Sequence, residues 1–144
     1  MKKIVAFITI VFLGIACTTD KINKDNPIGP DTIGLSTEEL QFGSEGGTQT
    51  VTTKGDVWII HELYDENNKV IPLEKLETEG RLIVNNNVET FTTIRGSWFT
   101  IERNLQSITV TLTDNTENVG RSFFIMMSDT RNRHGYLKII QEKK

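Results

Sequence analysis

The chain has a single cysteine, Cys17, among its 144 residues. No disulfide can close within it, so the fold must be held by packing and hydrogen bonds. Histidine is nearly as scarce, with only His61 and His134 present. His61 follows an apolar stretch and reads as a strand-end side chain, while His134 falls in a polar turn with Arg131 and Arg133. No HExxH pair, Gly-x-Ser-x-Gly turn or phosphate-cradling glycine loop accompanies them. Glu77 and Glu79 flank Thr78 at strand spacing and so share a face, but a solvated surface explains them as well as a glycosidase pair does. These absences argue against an enzyme. A basic surplus is also missing, since 16 Lys and Arg face 19 Asp and Glu, which argues against a nucleic-acid partner. The oxygen-rich clusters Asp65-Glu66-Asn67-Asn68 and Asp114-Asn115-Thr116-Glu117-Asn118 could offer calcium ligands. Neither has the glycine and terminal glutamate of an EF-hand loop, and turn propensity accounts for both. No metal and no cofactor is expected.

What is present is concentrated first at the N-terminus. Met1-Lys2-Lys3 precedes an apolar run from Ile4 to Leu13, then Gly14-Ile15-Ala16-Cys17. That is a charged n-region, an apolar h-region and a small-residue cleavage site, too short to span a bilayer permanently. A cysteine directly after the cut is what a bacterial lipoprotein needs, because its sulfur carries the diacylglycerol. Gly14 departs from the usual pattern, which prefers leucine three residues before the cysteine; an uncleaved anchor or an ordinary signal are the alternatives. Residues 1–16 are thus expected to be the signal peptide, and lipidated Cys17 with residues up to 34 a flexible tether. Residues 35–144 form the folded domain. Loss of Lys2 and Lys3 leaves 14 basic residues against 19 acidic ones, a formal charge of −5. Acyl chains contribute about 0.8 kcal/mol per buried methylene, so two or three of them make membrane attachment effectively permanent. The expected location is the bacterial outer membrane. Thr18-Thr19-Asp20-Lys21 carries a single acid, and either the periplasmic face or the cell surface fits. The tether holds Pro27, Gly29, Pro30 and Gly34 and little apolar material, so it forms no core. Within it, Asp31-Thr32-Ile33 resembles the short acceptor that certain gut-dwelling bacteria O-glycosylate, marking Thr32 as a modification site.

From Leu35 onward the hydrophobic period is two rather than 3.6. Ile108, Val110 and Leu112 alternate with Ser107, Thr109, Thr111 and Thr113, a half-buried strand. Arg121 to Ser128, with Phe123-Phe124-Ile125-Met126-Met127 inside it, reads as a strand buried on both sides. Tyr136 to Ile140 closes the series after a polar turn from Asp129 to Gly135. Asn85-Asn86-Asn87 and Asp65-Glu66-Asn67-Asn68 separate further short strands, and Pro72 to Glu77 could be one helical turn. No long amphipathic helix is present. The pattern predicts an all-β, antiparallel β-sandwich of immunoglobulin-like type with Greek-key connections.

The strand order carries a resemblance. Leu35-Ser36, Leu40-Gln41-Phe42, Glu45-Gly46-Gly47-Thr48-Gln49-Thr50-Val51-Thr52, Trp58 and Ser97-Trp98-Phe99-Thr100-Ile101 resemble the BACON domain (Bacteroidetes-associated carbohydrate-binding, often N-terminal). Ile108-Thr109-Val110-Thr111-Leu112, Asp114-Asn115-Thr116-Glu117, Gly120-Arg121 and Leu137-Lys138-Ile139-Ile140-Gln141 extend the likeness over nearly all of Leu35 to Gln141. The resemblance implies an immunoglobulin-like sandwich on an exported protein, frequently a lipoprotein. Arg121 is expected to pair with a carboxylate across the sheet. The segment from His61 to Gly96 is longer than the family pattern and is expected to hold extra strands or a long hairpin.

Sugar recognition, which the family name implies, requires an exposed ring and polar side chains for hydroxyls. Trp58, Trp98 and Phe123 sit in apolar strands and are expected in the core, where large rings stabilise a disulfide-free sandwich most. Tyr64, Asn67, Phe91 and Arg95 are the candidate glycan contacts. The expected role is non-catalytic, a membrane-anchored binding or accessory module that recognises glycans. Its rival is protein–protein contact or spacer duty in an outer-membrane uptake or adhesion complex.

Overall fold

The computed structural model describes residues 33–55, 57–84, 88–129 and 133–144. The leader, Cys17 and Thr32 lie outside them. Among the described residues there are twelve strands: β1 (Glu39–Phe42), β2 (Gly47–Thr52), β3 (Trp58–Asp65), β4 (Val70–Ile71), β5 (Glu77–Glu79), β6 (Leu82–Val84), β7 (Val88–Thr90), β8 (Thr93–Arg95), β9 (Phe99–Asn104), β10 (Ser107–Leu112), β11 (Arg121–Asp129) and β12 (His134–Gln141). The expected helical turn is a short 3-10 segment, Leu73–Lys75. Two five-stranded sheets form, ordered β1-β12-β11-β3-β4 and β2-β10-β9-β8-β5, with β6-β7 as a separate ribbon. The chain is an all-β sandwich.

Alternation places the core. Leu40, Phe42, Trp58, Ile60, Leu63, Phe123, Ile125, Met127, Leu137 and Ile139 come from one sheet. Val51, Ile94, Phe99, Ile101, Ile108, Val110 and Leu112 come from the other, and both sets are buried in one cluster. On β10 the burial alternates without a break from Ser107 to Leu112, as the two-residue period demands. Phe99 and Phe123 stack across the two layers with centroids 4.5 Å apart. Trp58 and Phe123 are each 1% exposed, which places both in the interior as expected.

Four details differ from the sequence reading. The sandwich is not wholly antiparallel, because β1 pairs with β12 in parallel, Glu39 opposite Lys138 through Phe42 opposite Gln141. Ile33, assigned above to the tether, is 3% exposed and belongs to the core, since an isolated aliphatic beside the sheet is better buried than solvated. His61 does not end a strand. It is the extra residue of an irregularity in β3, where Met126 faces Glu62 and Met127 faces Ile60, and it points to solvent. Gly135 and His134 belong to β12 rather than to a turn. The long segment after β3 does hold additional strands, β4 to β8. Its β6–β7 ribbon is fixed to β3 by the Thr90 hydroxyl, which meets the backbone of Ile60 at 3.3 Å from the amide nitrogen.

Candidate functional site: a cleft at one end of the sandwich

Strand directions define two ends of the sandwich. At one end lie the start of β3, where Trp58 faces Asp129, and the β9–β10 hairpin, where Asn104 faces Ser107. The segment that leads into β1 enters here, where the Lys54 amide donates to the Gly34 carbonyl at 3.2 Å. At the other end lie Asp65 opposite Phe123 and Phe99 opposite Leu112. An eight-residue strand rising ~3.3 Å per residue puts these ends roughly 20 Å or more apart.

A cleft of about 230 Å³ opens at the second end. Its apolar floor is Ile71, Trp98, Phe99 and Phe123, and its rim is Asp65, Glu66, Asn67, Arg121 and Ser122. Each wall has a local cause. Asp65 ends β3 and its Oδ1 accepts the amides of Asn67 and Lys69, both at 2.9 Å. This carboxylate-capped turn, with Asn68 in the left-handed region at φ 59°, projects Glu66 and Asn67 beside the cleft. Trp98 precedes β9 and is held by its carbonyl, which accepts the Thr113 amide at 3.0 Å. Gly96 lets the Phe99 ring lie against the backbone, where a Cβ would collide with it.

Trp98 is half-buried rather than interior, a correction to its expected place in the core. The residue lies just outside β9 and packs on the rim of the cluster. Its ring meets Phe99 and Phe123 edge-to-face, with centroids 5.5 and 5.3 Å away. Over it sits the Arg121 guanidinium, 4.4 Å from the ring centroid, a cation–π arrangement. Arg121 finds no carboxylate partner among the described residues, contrary to expectation. Its Nε donates to the Gln141 Oε1 at 2.9 Å and its Nη2 to the carbonyls of Thr113 and Asp114, both at 3.2 Å. Gln141, fully buried, donates in turn to the carbonyls of Gly43, Ser44 and Thr113. Asn115, equally buried, donates to the carbonyls of Val119 and Glu142 and accepts the Glu117 amide. A buried polar network thus fixes the guanidinium from behind.

The four expected glycan contacts do not converge. Asn67 lines the cleft. Tyr64 lies on the outer face of its sheet, hydroxyl donated to the Glu62 carboxylate and 3.7 Å from the Met126 sulfur. That bond, then burial and the nearby Glu62 charge, push its pKa up to about 12. Phe91 is half-buried against the core. Arg95 stands on the outer face of the opposite sheet, paired with Glu79 at 2.7 Å and Glu77 at 3.6 Å; chiefly the Glu79 hydrogen bond raises its pKa. Glu77 and Glu79 do share a face, and Arg95 pairs with both. Of the two oxygen-rich turns, the first spends Asp65 on backbone amides and the second spends Asn115 on two backbone carbonyls and one amide. Among the described residues no group of three or more His, Cys, Asp or Glu is arranged to hold a metal ion. Sequence reasoning missed Asp65, Glu66, Arg121 and Ser122 as cleft residues. The signal available was Trp98 at a strand boundary beside a glycine, a position where a ring is as easily a rim as a centre.

No family model and no curated protein matches the chain. Among solved structures it is similar to an NMR structure of a protein from Bacteroides thetaiotaomicron, with a TM-score of 0.58 and 19% identity over 77% of this chain and 80% of that one. A likeness at that identity is one of fold, and the fold is the all-β sandwich.

Proposed function

We propose that the protein is a BACON-like lipoprotein, tethered through Cys17 to the outer membrane, that binds glycans without catalysis. The cleft floored by Trp98 is its contact surface. The observation that carries this reading is the cleft's chemistry: an aromatic and aliphatic floor beside a rim of carboxylates, an amide, a hydroxyl and a fixed guanidinium. A pyranose has the matching division, with C–H groups on its faces and hydroxyls on its edge, and such sites pair an apolar lining with a few placed polar groups. Placement supports the same reading. The segment that leads into β1 enters at the opposite end, so a lipid anchor on that side leaves the cleft facing away from the bilayer.

The test is retardation of the purified chain in affinity gels cast with bacterial and plant polysaccharides. Retardation that is lost on Trp98→Ala, with the fold intact by circular dichroism, supports the proposal. Equal mobility in every gel sinks it. A second reading, protein contact within an outer-membrane complex, draws on the β6–β7 ribbon, where Ile83 is 67% exposed. Ile83→Asp disrupts a co-purified partner under that reading and leaves gel retardation untouched under the first.

A further inference from the structure

Resting on the glycan reading above, we infer that the cleft takes one neutral, terminal pyranose and discriminates against charged sugars and against the interior of a chain. Two observations carry this. The first is the hydrogen-bonding inventory of the rim. Arg121 has three of its donor contacts committed to Gln141, Thr113 and Asp114, and its Nη1 makes no hydrogen bond among the described residues. Nη1 therefore offers only donors. Asp65 uses Oδ1 alone for its turn, so Oδ2 and the exposed Glu66 carboxylate offer only acceptors. Such a mixed rim selects a group that donates and accepts at once, and a hydroxyl does both. A carboxylate, sulfate or phosphate on the ligand accepts only and meets Asp65 and Glu66 as like charges. An ammonium donates only and meets Arg121. A neutral polyol satisfies both walls without meeting a like charge on either.

The second observation is size. At about 230 Å³ the cleft falls below the ~300–1,000 Å³ that holds drug-sized ligands, and it ends blindly on Phe99 and Phe123, which are 5% and 1% exposed. One ring fills it. A cleft of that size closed by two ring edges suits the end of a chain, so the chain end is what inserts.

The two tryptophans make the test direct. Trp98 lines the cleft while Trp58, 1% exposed, lies at the opposite end with its indole N–H on the Leu105 carbonyl at 3.0 Å. Intrinsic fluorescence of the full chain, titrated with sugars, therefore reports on Trp98. The probes are methyl glycosides of glucose, galactose and mannose, the matching glucuronide and glucosaminide, and oligosaccharides of two to six units. We expect at least one neutral glycoside to shift the emission saturably. Both charged analogues should bind about tenfold more weakly, since an unpaired or like-charged contact is worth about 1.4 kcal/mol or more. Lengthening from two to six units should gain less than about threefold, as contacts beyond the cleft contribute little. Glu66→Lys, at an exposed turn position that leaves the fold alone, should raise affinity for the glucuronide. Affinity that rises tenfold with chain length, or a glucuronide bound as well as the neutral sugar, overturns this inference while leaving glycan binding standing. If no sugar of any class perturbs Trp98, the glycan reading itself falls.

Discussion

Replacing Gln141 with leucine probes the polar network that holds Arg121 in place. Gln141 takes part in four hydrogen bonds, one accepted from Arg121 Nε and three donated to carbonyls. If all the partners were orphaned, the penalty would approach that of unfolding a small domain, about 5–8 kcal/mol. They are not. The Gly43 carbonyl also accepts the Gly46 amide at 3.0 Å, and the Ser44 carbonyl accepts the Asn115 amide at 2.6 Å. The Thr113 carbonyl keeps Arg121 Nη2 at 3.2 Å. Only the Nε–H of Arg121 loses its acceptor outright. That loss costs about 1.5–3 kcal/mol for a donor on a charged group, and the forfeited amide bonds add about 0.5–1.5 kcal/mol. The expected destabilisation of Gln141→Leu is thus about 2–4 kcal/mol, with the denaturant slope unchanged. Urea unfolding at pH 7, followed by circular dichroism, measures it. Because the lost bond is shared, Arg121→Met should cost much less in the Gln141→Leu background than in the parent, a coupling of about 1 kcal/mol or more. A Gln141→Leu loss below about 1 kcal/mol, or strict additivity with Arg121→Met, would refute the view that this amide positions the guanidinium.

Three further outcomes follow from other parts of the molecule. Trp58→Ala should destabilise by about 4–5 kcal/mol, while half-buried Trp98→Ala should cost about 2–3 kcal/mol, the low side of large-to-small core changes; thermal melts showing the reverse order would contradict their placement. Tyr64 is held protonated by its bond to Glu62, its pKa raised from 10.0 to about 12, and burial also raises Tyr136. A raised folded pKa means stability present below pH 10 and lost as pH climbs towards 12. Absorbance at 295 nm should accordingly show Tyr64 still protonated in the native chain at pH 10, and Tyr64→Phe should remove the late-ionising step. Cys17→Ser should abolish palmitate labelling and move the chain from the membrane fraction to the soluble one; persistent labelling would overturn the anchor.

Much of the fold is legible in the strands themselves. Ile108, Val110 and Leu112 announce β10, and Phe123 to Met127 announces a central strand, because burial imposes a period on side chains that no other constraint disguises. The partner of a strand is less legible. Nothing in Leu40-Gln41-Phe42 reveals that β1 lies parallel to β12, since pairing is decided by neighbours distant in sequence. The site is less legible still. Asn67 lines the cleft because its turn projects it there, but Tyr64 carries equally polar chemistry and spends it on Glu62 two residues earlier on the same face. Arg121 suggested an ion pair, whereas its acceptors are carbonyls and an amide, groups every residue or many residues could supply. Trp98 sits one position before β9, and a single residue decides whether a ring faces the centre or the rim.

The parallel pairing of β1 with β12 has a bearing on how the chain matures. A polypeptide is made from its N-terminus, so Glu39 to Phe42 appear long before Tyr136 to Gln141. Until the last strand is delivered, β1 has no ladder to join, and the layer that contains it stays ajar. Pairing that spans nearly the whole domain also makes folding slow compared with local hairpin formation. The final residues to be made therefore act as the latch, and a nascent chain stalled short of Gln141 presents an unsealed edge.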